Sequence, residues 1–149
     1  MSERKTTRFA VLEAERVVKV HEREIPALKA DEVLIKNGAC NICTTDYGQY
    51  TGARKNLMFP MAWGHEFAGT IVDMGSDVKE FEVGEMVGIG YDNCGECEFC
   101  KKGLTSECVT LGAGRNKLSP DGYHGGFGCS EYVLSLIHIS EPTRRVVIS

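Results

Sequence analysis

The chain has 149 residues, 42% hydrophobic and 26% charged, with 17 Lys plus Arg against 21 Asp plus Glu for a formal charge of −4. That length suits one soluble domain with a real core and is too short for a two-domain nucleotide-dependent enzyme. The acidic balance argues against nucleic-acid partners and basic membrane-surface binding, and no apolar run reaches the ~20 residues of a membrane span.

The first residues, MSERKTTRFAVLEAE, contain no apolar signal core, so the expected compartment is the cytoplasm. Residues 8–13 and 16–21 (RVVKVH) predict two strands, with Ala14 and Glu15 as the turn between them. Pro26 marks a connection, and residues 32–37 alternate polar and apolar as a half-buried strand does. Residues 41–58 have weak periodicity and room for a short helix. Residues 65–73 (HEFAGTIVD), apolar and β-branched between Gly64 and Gly75, predict a strand, and residues 85–89 predict another after a turn at Gly84. Residues 91–117 are rich in Cys, Gly and Lys without an apolar period, which predicts a loop that needs an external staple. GYHGGFGCSEYVL, residues 122–134, returns to a strand. Seventeen glycines and little helical periodicity predict a mainly β, strongly turned small barrel with few short helices.

The seven cysteines are Cys40, Cys43, Cys94, Cys97, Cys100, Cys108 and Cys129. An odd number in a chain without a signal peptide reads as metal ligands rather than a disulfide framework. Cys94, Cys97, Cys100 and Cys108 are separated by two, two and seven residues, with Gly95 and Gly103 available for tight turns. Four thiolates so spaced can wrap one tetrahedral zinc in a closed site, whose role is structural. An iron centre or a dithiol switch would draw on the same residues. A second constellation pairs Cys43, Thr45 and Asp46 in ICTTDYGQYTG with His65 and Glu66 in WGHEFAGTIVDMGSDV. Thiolate and imidazole suit zinc. A lone Cys and a lone His far apart in sequence could equally be a buried thiol and a satisfied surface histidine.

GHEFAGTIVDMGSDV resembles the zinc signature of the medium-chain alcohol dehydrogenase family, through Gly64, His65, Glu66, Gly69, Gly75 and Val78. ICTTDYGQYTG resembles that family's Cys-x-Ser/Thr-Asp segment, the four-cysteine loop has the spacing of its structural zinc lobe, and GGFGCSEYV resembles the family's stretch just beyond that lobe. The resemblance runs from about residue 8 to 133. It implies a GroES-like distorted β-barrel, 1–133, with a zinc-stapled lobe at 91–117 and a catalytic zinc. Cys43 and His65 would be zinc ligands, with Glu66 a carboxylate that reaches the metal when water or substrate moves. Thr45 would bind the substrate hydroxyl and relay its proton. Asp46 would accept from the other ring nitrogen of His65 and fix its tautomer. Zinc lowers the pKa of a bound hydroxyl, and the alkoxide can then expel hydride to the nicotinamide of NAD or NADP. The substrate would be a small-molecule alcohol or polyol, and the parent enzyme a homodimer or homotetramer.

Four positions depart from the family pattern, one being Thr44, which stands where many relatives have Gly or Arg. Gly48 stands where many relatives carry a proton-relaying histidine, so the proton must leave through water or another group. Cys40, three residues before Cys43, competes with it as ligand, and the Thr-Asp register favours Cys43. Cys129, where relatives have a small apolar residue, reads as a barrel-strand thiol. The dinucleotide-binding domain is not found: Gly112 and Gly114 in GAGRN have no strand before them, no helix after them and no third glycine, which predicts a loop. LSLIHISEPTR, residues 134–144, is identical to one reading frame of a transposon-end adapter used in DNA library preparation, so residues 134–149 are expected to be a non-native tail. Two functional classes remain: an inactive catalytic-domain fragment of a zinc-dependent dehydrogenase, or a non-catalytic zinc-binding barrel module. Iron at the four cysteines would make a third, an electron-transfer protein.

Overall fold

The computed structural model describes residues 6–55, 57–89, 93–109, 118–136 and 140–142. In chain order the strands are β1 (Thr6–Ala14), β2 (Val17–Glu24), β3 (Glu32–Cys40), β4 (Met61–Ala62), β5 (Phe67–Met74), β6 (Met86–Ile89), β7 (His124–Gly125), β8 (Tyr132–Leu136) and β9 (Ser140–Pro142). Two short helices interrupt them, α1 (Thr44–Thr51) and α2 (Glu98–Lys101), the latter followed by a 3-10 turn at Thr105–Glu107. One sheet has the order β2-β1-β4-β7 and the other β8-β3-β5-β6-β9. Among the described residues only β4 and β7 pair in parallel. Among the described residues neither sheet closes on itself; a bridge between Phe9 and Ser130 links the two, giving the mainly β, distorted-barrel class. No helix among them is long and apolar enough to cross a membrane.

The core follows the alternation in the sequence. In β5, Phe67, Gly69 and Ile71 are buried while their neighbours are not, the period of a strand with one covered face. Phe67 and Ile71 pack with Val33, Ile35, Val78, Phe81, Val87 and Val133. Strand β3, central between β8 and β5, buries four successive residues from Glu32 to Ile35. Phe9, Val11 and Ala62 form a second cluster under the other sheet.

Two local differences from the sequence expectations matter. The first turn is Glu15 and Arg16, because Ala14 still pairs with Val17; Arg16 takes a left-handed φ of 62° and its N–H donates to Tyr50 O at 2.8 Å. Strand β5 starts at Phe67, so His65 and Glu66 lie in the bend before it, where Gly64 has a φ of 92°. Strand β3 carries a bulge between Asn37 and Ala39. Such a bulge bends a strand and re-aims the chain beyond it, here the approach to α1. The Asn37 side-chain amide donates to Gly128 O and Ser130 O, pinning this bend to the chain entering β8.

Of the expected loop 91–117, residues 93–109 are described; GAGRN lies outside the described residues. In the 134–149 segment, Leu134 and Ser135 continue β8 against Leu34 and Val33, and β9 pairs with β6; residues 137–139 and 143–149 lie outside the described residues.

Candidate metal centres

Helix α1 begins with an unusual cap. Cys43 is the N-cap: its Sγ accepts from the Thr45 N–H at 3.3 Å, while its own N–H donates to Asp46 Oδ2 at 2.9 Å. This reciprocal box satisfies two amide groups that a helix start leaves orphaned. It also fixes the thiol and the carboxylate relative to each other. Asp46 is fully buried, and Gly52 ends the helix in the left-handed conformation with a φ of 74°.

The bend that carries His65 is tied to the end of β3 by the Asn41 N–H, which donates to Glu66 O at 2.8 Å. His65 Nε2 then lies 3.4 Å from Cys43 Sγ, and its Nδ1 lies 3.3 Å from Asp46 Oδ1. A tetrahedral zinc, with Zn–S about 2.3 Å and Zn–N about 2.1 Å, sets sulfur and nitrogen about 3.6 Å apart. The observed spacing therefore fits one edge of such a site. Asp46 Oδ1 is buried without a well-directed hydrogen bond, since the His65 Nδ1 at 3.3 Å lies off the bonding line. A buried carboxylate oxygen in that condition is costly unless a cation or a donor is close. Donor atoms of Cys43, Asp46 and His65 all lie within 4.8 Å of one another. Glu66 stands beside this trio, 47% exposed, with Oε1 3.7 Å from His65 Nε2. A hydrogen bond from the Asn41 side chain at 2.8 Å, then the Cys43 thiol, holds its carboxyl below the usual range.

Gly64 is required where it stands. Its φ lies in the left-handed region, and a Cβ there would fall 2.7 Å from Cys129 Sγ and collide with the Cys129 backbone nitrogen. Gly64→Ala is expected to destabilise the fold by about 3 kcal/mol or more, combining backbone strain with overpacking, read as a lowered urea midpoint at unchanged slope. An unchanged midpoint would show that the bend relaxes freely.

The second centre gathers all four predicted cysteines. Sulfur separations are 3.5 Å for Cys97–Cys100, 3.7 Å for Cys94–Cys108 and 3.9 Å for Cys94–Cys100. Four thiolates about 2.3 Å from a tetrahedral zinc sit about 3.8 Å apart, so the sulfur positions match that donor set. N–H groups of Cys94 and Cys97 donate to Cys108 Sγ and Cys94 Sγ, each at 3.3 Å, as expected where sulfur is to carry charge. Backbone N–H groups of Cys100 and Val109 pull the Cys97 thiol down, whereas desolvation pushes Cys100 up to about 11. Thiolates this crowded cannot all ionise without a cation among them.

Sequence reasoning did not single out the residues that shape the space beside His65. Thr45 and His65 open on a cavity of about 390 Å³ also lined by Gln49, Arg54, Trp63 and His124. Trp63 Nε1 donates to Gln49 Oε1 at 3.0 Å and its ring stacks on Tyr50, which sets one wall. Only the tryptophan, as the single one in the chain, could have drawn notice. The structure also separates the two competing thiols: Cys43 faces His65, while Cys40 Sγ lies 3.3 Å from Cys129 Sγ.

Residues 29–138 match the family model described as alcohol dehydrogenase GroES-like domain. L-threonine 3-dehydrogenase of Edwardsiella ictaluri is 36% identical over 111 residues, covering 71% of this chain and 33% of that protein. Among solved structures, the protein described as a short chain alcohol dehydrogenase from E. coli CFT073, complexed with NADH, superposes with a TM-score of 0.73 at 31% identity, covering 92% of this chain and 38% of that one. The cobalt- and zinc-bound alcohol dehydrogenase of Pyrobaculum aerophilum gives 0.75 at 28% identity, covering 94% and 42%. The chain thus spans about a third of the length of the curated relative. With the model matching most of its length, the chain belongs to the alcohol dehydrogenase GroES-like domain family.

Proposed function

We propose that this chain is the metal-binding, substrate-facing part of a zinc-dependent, NAD(P)-linked alcohol or polyol dehydrogenase. The observation that supports it most is the convergence of Cys43 Sγ, His65 Nε2 and the buried Asp46 beside a cavity that Thr45 lines. Cys43 and His65 would hold a zinc there, with Glu66 close enough to join when the coordination changes. Zinc so bound supplies a Lewis acid that lowers the pKa of a substrate hydroxyl. The Asp46 carboxylate, with Oδ1 3.3 Å from His65 Nδ1, would favour the proton on that nitrogen and leave Nε2 free to ligate. The Thr45 hydroxyl would accept the substrate proton, and Gly48, lacking a side chain, would leave onward transfer to water. Cys94, Cys97, Cys100 and Cys108 would hold a second zinc that braces the lobe. The relative solved with NADH supports a nicotinamide as hydride acceptor. Among the described residues there is no Gly-rich strand–turn–helix unit to hold it. In the same reading, the parent is a cytoplasmic homodimer or homotetramer, and residues 134–149 derive from the adapter; continuous raw-read coverage across that junction would reject the last point.

The test is metal content and turnover together. The purified chain should carry about two zinc equivalents, and a Cys43→Ser/His65→Ala double variant about one. Iron absorbance without zinc, or a full zinc complement in the double variant, would overturn the assignment. The chain alone should form no NAD(P)H with any alcohol, and measurable turnover would overturn the division of labour.

A further inference from the structure

Two thiols remain that neither metal centre uses. Cys40 ends β3 and Cys129 precedes β8, 89 residues later, yet their sulfurs lie 3.3 Å apart. The chain holds both in place. Cys129 donates its N–H to Trp63 O and accepts at its carbonyl from the Ala10 N–H, each at 2.8 Å, and Asn37 pins the bulged end of β3 to Gly128 and Ser130. The pair is also reachable, because both cysteines line an open groove of about 460 Å³ whose other walls include Arg8, Asn37 and Glu131.

We propose that Cys40 and Cys129 form a redox-modification site, at which a hydroperoxide converts the two thiols into a disulfide joining the end of β3 to the segment that enters β8. In the first step one sulfur attacks a peroxide oxygen, the O–O bond breaks, and a sulfenic acid and one water result. In the second, the other sulfur attacks the sulfenic sulfur, the S–O bond breaks, and the hydroxyl leaves with that thiol's proton as water. Two thiols thus lose two electrons and two protons, and hydrogen peroxide is reduced to two waters. Held this close, the second step is intramolecular and outruns further oxidation of the sulfenic acid. A disulfide needs its sulfurs about 2.05 Å apart, so the pair must approach further for the bond to form. The sulfurs pack against Gly64: a Cβ there would lie 2.7 Å from one and 2.9 Å from the other. The bond would therefore form directly behind the bend that carries His65.

The experiment oxidises the zinc-loaded chain with hydrogen peroxide at about pH 9.5, above the usual thiol range, because burial pushes the Cys40 thiol up and the Cys129 thiol up to about 12. The products are then alkylated and peptide-mapped without reductant. The expected result is one cross-linked peptide containing Cys40 and Cys129, with both lost from the alkylated pool and recovered after dithiothreitol. Cys129→Ala should abolish the link and leave Cys40, the thiol that burial pushes up less, as a sulfenic acid that dimedone traps. The untreated wild-type chain should also bind one phenylarsine oxide through this vicinal dithiol, without any substitution. Both thiols staying fully alkylatable after peroxide, or cross-links running only to Cys43 or the lobe cysteines, would overturn the proposal.

Discussion

Cys97→Ser is expected to unfasten residues 93–109 while both sheets stay folded. The lobe has little else to hold it. Its regular structure is the four residues of α2 and a three-residue 3-10 turn, far below the length at which a helix sustains itself. Phe99, Leu104 and Val109 are 38%, 51% and 71% exposed, so the lobe has hardly any core of its own, and Asn93 and Cys108 alone are buried there. Structural zinc in small peptides contributes roughly 10–16 kcal/mol of folding free energy, and a hydroxyl in place of one thiolate forfeits a large part of it. Hydrogen exchange should show the Lys101, Gly103 and Cys108 amides losing protection, with those of Ile35 and Ile71 unchanged. Trypsin should then cut at Lys101 and Lys102. A chelator applied to the wild-type chain should reproduce the pattern. Protection of 93–109 that survives both treatments would mean that packing, not metal, orders the lobe.

The lobe is legible in the sequence because its information is local: four cysteines at fixed intervals predict one another's neighbourhood without any knowledge of the fold. Strands β3 and β5 are legible for a similar reason, since alternation records which face is covered. Helix α1 is not. Its sequence, TTDYGQYT, buries only Asp46, so no apolar period marks it, and its start rests on a cysteine cap that propensity rules do not favour. The left-handed Arg16 turn escapes a sequence reading because its Arg16 N–H donates to the carbonyl of Tyr50, a residue distant in sequence. Trp63 and His124 meet at one cavity because β4 pairs with β7, and Cys40 meets Cys129 because Asn37 clamps β3 to the 128–130 segment. Such meetings are set by long-range strand pairing. The proximity of Cys43 and His65 belongs to the same class, which is why spacing alone leaves it open and the resemblance has to supply it.

Asp46 offers the sharpest separation between holding a helix and positioning a ligand. Its Oδ2 caps α1 through the Cys43 N–H, and its Oδ1 faces His65 Nδ1. Asp46→Ala removes both functions and should cost about 1 kcal/mol for the cap, with a further loss from the half-buried His65 imidazole deprived of the carboxylate facing its Nδ1. Asp46→Asn keeps an oxygen for the cap but removes the charge that favours a proton on Nδ1. Groups that orient a metal-bound histidine typically change metal affinity about 10–100-fold when replaced. The asparagine variant should therefore keep most of its thermal stability while cobalt(II) binding at the Cys43–His65 centre weakens by about that factor. If Asp46 only orients His65, the cobalt visible spectrum at saturation should match that of the wild type, because the donor atoms are the same. If Asp46 is itself a ligand, the ligand-field bands should shift with the substitution. Unchanged affinity in both variants would reduce Asp46 to a helix cap and leave His65 to set its own tautomer.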